Sequence, residues 1–134
     1  MKTSIRRVMI CLCITMICVS IASASGGTST ASITSSKDGA FGPWVDLIYN
    51  DPHSFAETHV TNESSSTNVL WAAGQSYSGK EFCNCSAQPG KSNYEDAVDI
   101  LPSRYRLVLD PSGPLATGCN GSGSFSVFDT ILGK

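Results

Sequence analysis

Beyond its first seven residues the chain has no cluster of lysine or arginine, and no window after residue 24 repeats its apolar residues with the period of a helix. The first absence argues against nucleic acid or an anionic membrane surface as a partner, since both are held by grouped positive charge. The second excludes a helical bundle. Histidine is scarce, with His53 and His59 the only two. There is no G-x-S-x-G, no H-E-x-x-H and no phosphate-cradling glycine loop, so the common hydrolase and nucleotide-binding motifs are missing. No cofactor is implied.

The chain opens MKTSIRRVMICLCITMICVSIASASGG. Lys2, Arg6 and Arg7 precede an apolar run from Val8 to Ala22, about 15 residues, which suits a signal-peptide core better than a span of about 20. Ala22-Ser23-Ala24 supplies the small residues of a cleavage site. The expectation is a signal peptide over 1–24, a secreted product, and no membrane attachment after cleavage. Cys11, Cys13 and Cys18 would leave with this segment. So would three bases and no acid, taking the formal charge from −2 to −5.

The remainder of the chain is rich in Ser, Thr, Gly and Val and poor in strong helix formers. Residues 25–39 (SGGTSTASITSSKDG) read as a flexible arm, with a polar edge strand as the alternative. Residues 40–134 read as one domain. GPWVDLIYNDP, AETHVTN, NVLWAAG, EFCNCS, RYRLVLD and SGSFSVFDTIL read as short strands broken by turn residues. RYRLVLD alternates most cleanly, with Tyr105, Leu107 and Leu109 facing in and Arg104, Arg106 and Asp110 facing out. EFCNCS places Cys83 and Cys85 on one face and Phe82 and Asn84 on the other. ESSST and the stretch Ala87–Asn93 read as loops, Pro111–Pro114 as a turn, and DAVDIL as a strand or a helical turn. The fold class expected is all-β, a small antiparallel β-sandwich.

Three cysteines remain beyond residue 24: Cys83, Cys85 and Cys119. In a secreted protein disulfides are the default, and Cys83 and Cys85 are too close in sequence to bridge each other without strain. One of them is expected to pair with Cys119, leaving one thiol over. A zinc site built from the three cysteines with His53 or His59 is the alternative, against the usual C-x2–4-C spacing. A thioredoxin-like site needs C-x-x-C, which is absent.

Other candidates carry less chemistry. His53 and His59 with Asp51 could supply a base or a metal ligand, although isolated surface histidines are commoner. Glu95, Asp96 and Asp99 form an acidic group without the ligand spacing of a calcium loop. Asn62, Asn84 and Asn120 each begin a glycosylation sequon. Trp44, Trp71 and the four tyrosines could line a carbohydrate surface, but the tryptophans are expected to pack in the core.

The stretch AAGQSYSGKEFCNCS, followed by ILPSRYRLVLD, resembles subunits and tip adhesins of bacterial chaperone–usher fimbriae, which carry C-x-C after a G-x-x-[YF]-x-G lead-in and a later LP…Y segment. The likeness spans Ala73 to Asp110. It implies an immunoglobulin-like or lectin-like sandwich that acts by adhesion rather than catalysis. It also implies passage through a periplasm and display on a fimbrium. Partners would be other fimbrial subunits, a periplasmic chaperone, and a host glycan or surface protein. The arm at 25–39 lacks the large alternating residues that insertion into a neighbour's groove requires, and DTILGK does not match the family's C-terminal strand pattern, so a tip or stand-alone role is favoured. The alternatives are a small secreted disulfide-stapled enzyme or inhibitor, and a secreted glycoprotein.

Overall fold

The computed structural model describes residues 26–48, 54–112 and 116–128. The signal segment, His53, and Gly113 and Pro114 of the expected turn lie outside the described residues. Nine strands run in order: β1 (Gly26–Ile33), β2 (Ala40–Phe41), β3 (Val45–Leu47), β4 (Phe55–Asn62), β5 (Leu70–Ser76), β6 (Glu81–Ala87), β7 (Lys91–Val98), β8 (Ser103–Pro111) and β9 (Gly121–Phe128). They form two antiparallel sheets packed face to face. The four-stranded sheet runs β1-β9-β4-β7. The five-stranded sheet runs β2-β8-β5-β6, with β3 also paired to β8. No helix long and apolar enough to cross a membrane occurs among the described residues.

The alternation read from the sequence sets the core. Tyr105, Leu107 and Leu109 of β8 are buried, as are Phe125 and Val127 of β9 and Val60 of β4. Each such side chain contributes roughly 1.5–3 kcal/mol by leaving water. Phe82, Tyr105 and Phe125 form an aromatic cluster, with Phe82 edge-on to both partners at 5.4 and 5.6 Å.

Three sequence expectations change here. Residues Gly26–Ile33 are no free arm: they pair with β9 along the whole strand, from Gly26 opposite Phe128 to Ile33 opposite Gly121. Most of their inward positions, Gly27, Ser29 and Ala31, carry small residues, with Ile33 the one large apolar side chain among them, which explains the weak signal. Ser29 is fully buried; its hydroxyl donates to Pro43 O at 2.6 Å and accepts from Leu107 N at 3.0 Å, tying β1 to the opposite sheet.

The second change is β7, whose first three residues were expected in a loop. It is an edge strand paired only with β4 and almost wholly exposed, so its composition is polar on both faces.

The third concerns Phe82. A bulge between Ala72 and Gly74 of β5 sets Cys83 and Asn84 together opposite Ala73. Cys83 takes a φ of 54° there. The added residue turns Phe82 toward the core although its neighbour Cys83 is buried as well.

A candidate binding face on the five-stranded sheet

Cross-strand pairing brings the outward residues of the five-stranded sheet into rows. Trp71 of β5 lies opposite Asp110 of β8 and Ser86 of β6. Ala73 lies opposite Val108, which pairs with Phe41 of β2. Gln75 lies opposite Arg106 and Glu81. Asp46 of β3 lies opposite Arg104, and the two form an ion pair at 3.0 Å.

This face carries aromatic rings in water. Phe41 is 59% exposed, Trp71 48% and Tyr77 70%. Trp71 and Tyr77 stand roughly 20 Å apart along the direction of β5. Between them the Arg106 guanidinium packs over the Phe41 ring at 4.1 Å and the Trp44 ring at 4.7 Å. Its Nε and a terminal nitrogen both donate to Gln75 Oε1, at 2.9 and 2.6 Å. Gln75 Nε2 in turn donates to Glu81 Oε1 at 3.3 Å. Tyr77 meets Trp44 edge-on at 5.6 Å. The result is a row of rings with a fixed cation among them.

Beside Trp71 the face dips into a depression of about 180 Å³ lined by Ala73, Glu81, Asn84, Val108 and Asp110. The small side chain of Ala73 makes the floor. Burial, with Asp38 close by, raises the Asp110 carboxyl above its ordinary range. A larger open cleft of about 450 Å³ lies elsewhere, lined by Phe82, Val98, Leu101 and Tyr105 with Lys80 and Asp99. The Tyr105 hydroxyl donates to Leu101 O along it.

The tryptophans were expected in the core, and neither is there. Leu70 and Ala72 take the inward positions of β5 and leave Trp71 outward, while Trp44 covers Arg106. The unbroken apolar run Val69–Ala73 offers no alternation from which that orientation could be read.

The cysteines occupy the interior. Cys83, Cys85 and Cys119 are all free and buried, so the expected bridge to Cys119 is not formed. Strand register gives the reason. Cys85 pairs with Ala72, whereas the Cys119 sulfur lies 3.2 Å from Asn68 O and 3.5 Å from Val69 O. Cys85 and Cys119 are therefore separated by roughly 10 Å along β5, where a disulfide needs Cα atoms within about 7 Å. Cys83 lies farther along. Its thiol reaches Glu95 O at 3.1 Å. Burial raises the Cys83 and Cys119 thiols and pushes Cys85 up to about 11, with Cys83 and Glu95 adding to it.

The zinc alternative is not assembled. Among the described residues no group of three or more His, Cys, Asp or Glu side chains could hold a metal ion. His59 sits on the outer face of the other sheet, stacked on Tyr94 at 5.8 Å and 3.6 Å from Glu57 Oε2. Of the acidic group, Asp96 pairs with Glu57 and Glu95 with Thr58, so the two point to opposite faces of β7, while Asp99 turns the chain beyond the strand with a φ of 57°. Among the sequons, Asn62 is buried, its amide donating to Asn68 O at 2.8 Å and Ala87 O at 2.9 Å. Asn120 holds Ser35 N and Ser65. Asn84 is exposed.

No family model matches the chain, the fimbrial family included, and no curated protein matches it. Solved structures show a distant likeness to it. PirA is 13% identical over 83% of this chain and 99% of its own, with a TM-score of 0.43. A protein of the disulfide-linked pili of Bacillus endospore appendages is 12% identical over 83% and 94%, with a TM-score of 0.39. The carbohydrate-binding module CBM36, solved with calcium and xylotriose, is 9% identical over 77% and 90%, with a TM-score of 0.40.

Proposed function

We propose that this chain is a non-catalytic binding protein that holds an extended carbohydrate along the outer face of its five-stranded sheet. The observation that carries the reading is the row of outward rings, Trp71, Phe41, Trp44 and Tyr77, on a face where a solvated sheet would place polar side chains. Aromatic faces pack against the C–H faces of sugar rings, and fixed polar groups among them address the hydroxyls. Arg106 and Gln75 are held in one arrangement before any ligand arrives, which lowers the ordering cost of binding. A shallow face about 20 Å long suits a chain of sugars better than a single small molecule.

Export to the cell surface, with display on a fimbrium, is the setting that the N-terminal sequence and the fimbrial resemblance support. The reading is tested by screening the secreted protein against immobilised oligosaccharides, with a Trp71→Ala, Trp44→Ala double variant beside it. Retention of the native protein alone supports it. Equal retention of both proteins, or of neither, counts against it. Mass analysis of the secreted chain tests the export reading, with cleavage after Ala24 expected.

A further inference from the structure

The glycan reading leaves open which sugars are recognised, and the depression beside Trp71 narrows the choice. Its floor is Ala73, and its rim carries Trp71, Asn84 and Val108. Two carboxylates close it from opposite sides of β5, Glu81 from β6 and Asp110 from β8. The ion pairs among the described residues are His59–Glu57 and Arg104–Asp46, so neither of these two carboxylates has a cationic partner. Arg106 is turned away from them: aromatic rings cover it, and Gln75 takes its hydrogen bonds. Lys80, next to Glu81 in the chain, lines the other cleft.

We propose that this depression receives a protonated primary amine, and that the glycan bound carries free amino groups, as 2-amino-2-deoxy sugar units do. The inference rests on the glycan reading above. An ammonium group over Ala73 meets the Trp71 ring, which attracts cations through its negative face, and donates a hydrogen bond to the Asp110 carboxylate beside that ring, while Glu81, four β5 positions away and held by Gln75 Nε2 at 3.3 Å, adds negative potential from the far side. The asparagine amide of Asn84 supplies a further acceptor. A neutral hydroxyl there leaves both carboxylates uncompensated, and an acidic sugar is repelled. Asp38 adds to the negative potential around Asp110, and that carboxyl is already raised by burial. A cation relieves both effects.

The test is calorimetric titration of the intact protein with four probes, below the pKa of the sugar amine: a glucosamine tetramer, its N-acetylated counterpart, cellotetraose and tetralysine. The expected result is at least about tenfold tighter binding of the glucosamine tetramer than of the N-acetylated one, the magnitude of one charged hydrogen bond. Asp110→Asn should abolish that preference and leave the melting temperature within a few degrees. Equal affinity for the three glycans overturns the amine inference while the glycan reading stands. Binding of tetralysine as tightly as the glucosamine tetramer marks generic charge attraction and overturns it too, as does a preference that survives Asp110→Asn. Failure of every glycan to bind overturns both readings.

Discussion

The Phe125 ring lies directly over Gly74, so that a Cβ on Gly74 would fall inside the ring's van der Waals envelope. Gly74 is on β5 of one sheet and Phe125 on β9 of the other, so the absence of one side chain sets how closely the two sheets approach at the centre of β5. Gly74→Ala should destabilise the fold by about 1–3 kcal/mol through overpacking. Urea denaturation of the two proteins, with an unchanged slope and a lowered midpoint, checks it.

Asn62 joins the ends of β4, β5 and β6 from inside the sandwich. Asn62→Ala leaves the carbonyls of Asn68 and Ala87 without their donor. A loss of about 2–3 kcal/mol is expected, since buried acceptors lose hydrogen bonds that water cannot replace. The same denaturation experiment reads it.

The three interior thiols should behave as inert groups in the native state. With Cys85 pushed up to about 11, almost none of it is thiolate near neutral pH, and Cys83 and Cys119 are raised as well. Alkylation should be slow until denaturant exposes the sulfurs, and then complete. A raised thiol favours the folded state by staying protonated. That stability is fully present below the unfolded value of about 8.5 and is lost as pH climbs toward about 11. Chemical denaturation across that window should show stability falling with pH, and Cys85→Ser or Cys85→Ala should flatten part of the fall.

Arg106 is held by its planar shape. Arg106→Lys keeps the charge but gives up the paired bonds to Gln75 and the stacking on Phe41 and Trp44. A stability loss of about 0.5–1 kcal/mol is expected. The emission of Trp44 should shift as its ring gains solvent. Glycan affinity should fall more than stability does, because the row of rings loses its spacer.

The parts of this fold that could be read from the chain are those where one face is buried and the other wet. RYRLVLD, AETHVTN and SGSFSVF alternate because Leu107, Val60 and Phe125 face the interior and their neighbours face water. Two strands hid for the opposite reason. β7 is exposed on both faces, and β1 fills its inward places with Gly27, Ser29 and Ala31 and only one large apolar residue, Ile33, so neither shows a clear alternation in hydrophobicity. Phe82 hid because a bulge is a tertiary choice that local pattern does not encode. The sulfurs hid because spacing in the chain says nothing about position along a neighbouring strand. Trp71 hid as well: it stands within the unbroken apolar run Val69–Ala73, where the sequence does not show which residues face out.

Trp71 joins the row of rings to the acidic depression, and its contribution to affinity is the measurement that bears most directly on carbohydrate binding by this face. Titration of the native protein and Trp71→Ala with the tightest oligosaccharide found in the screen, monitored by calorimetry, gives that number. Loss of at least about tenfold in affinity with the melting temperature held is the predicted result, in line with a central aromatic anchor. Unchanged affinity in a folded Trp71→Ala protein would contradict it and move the ligand to another surface.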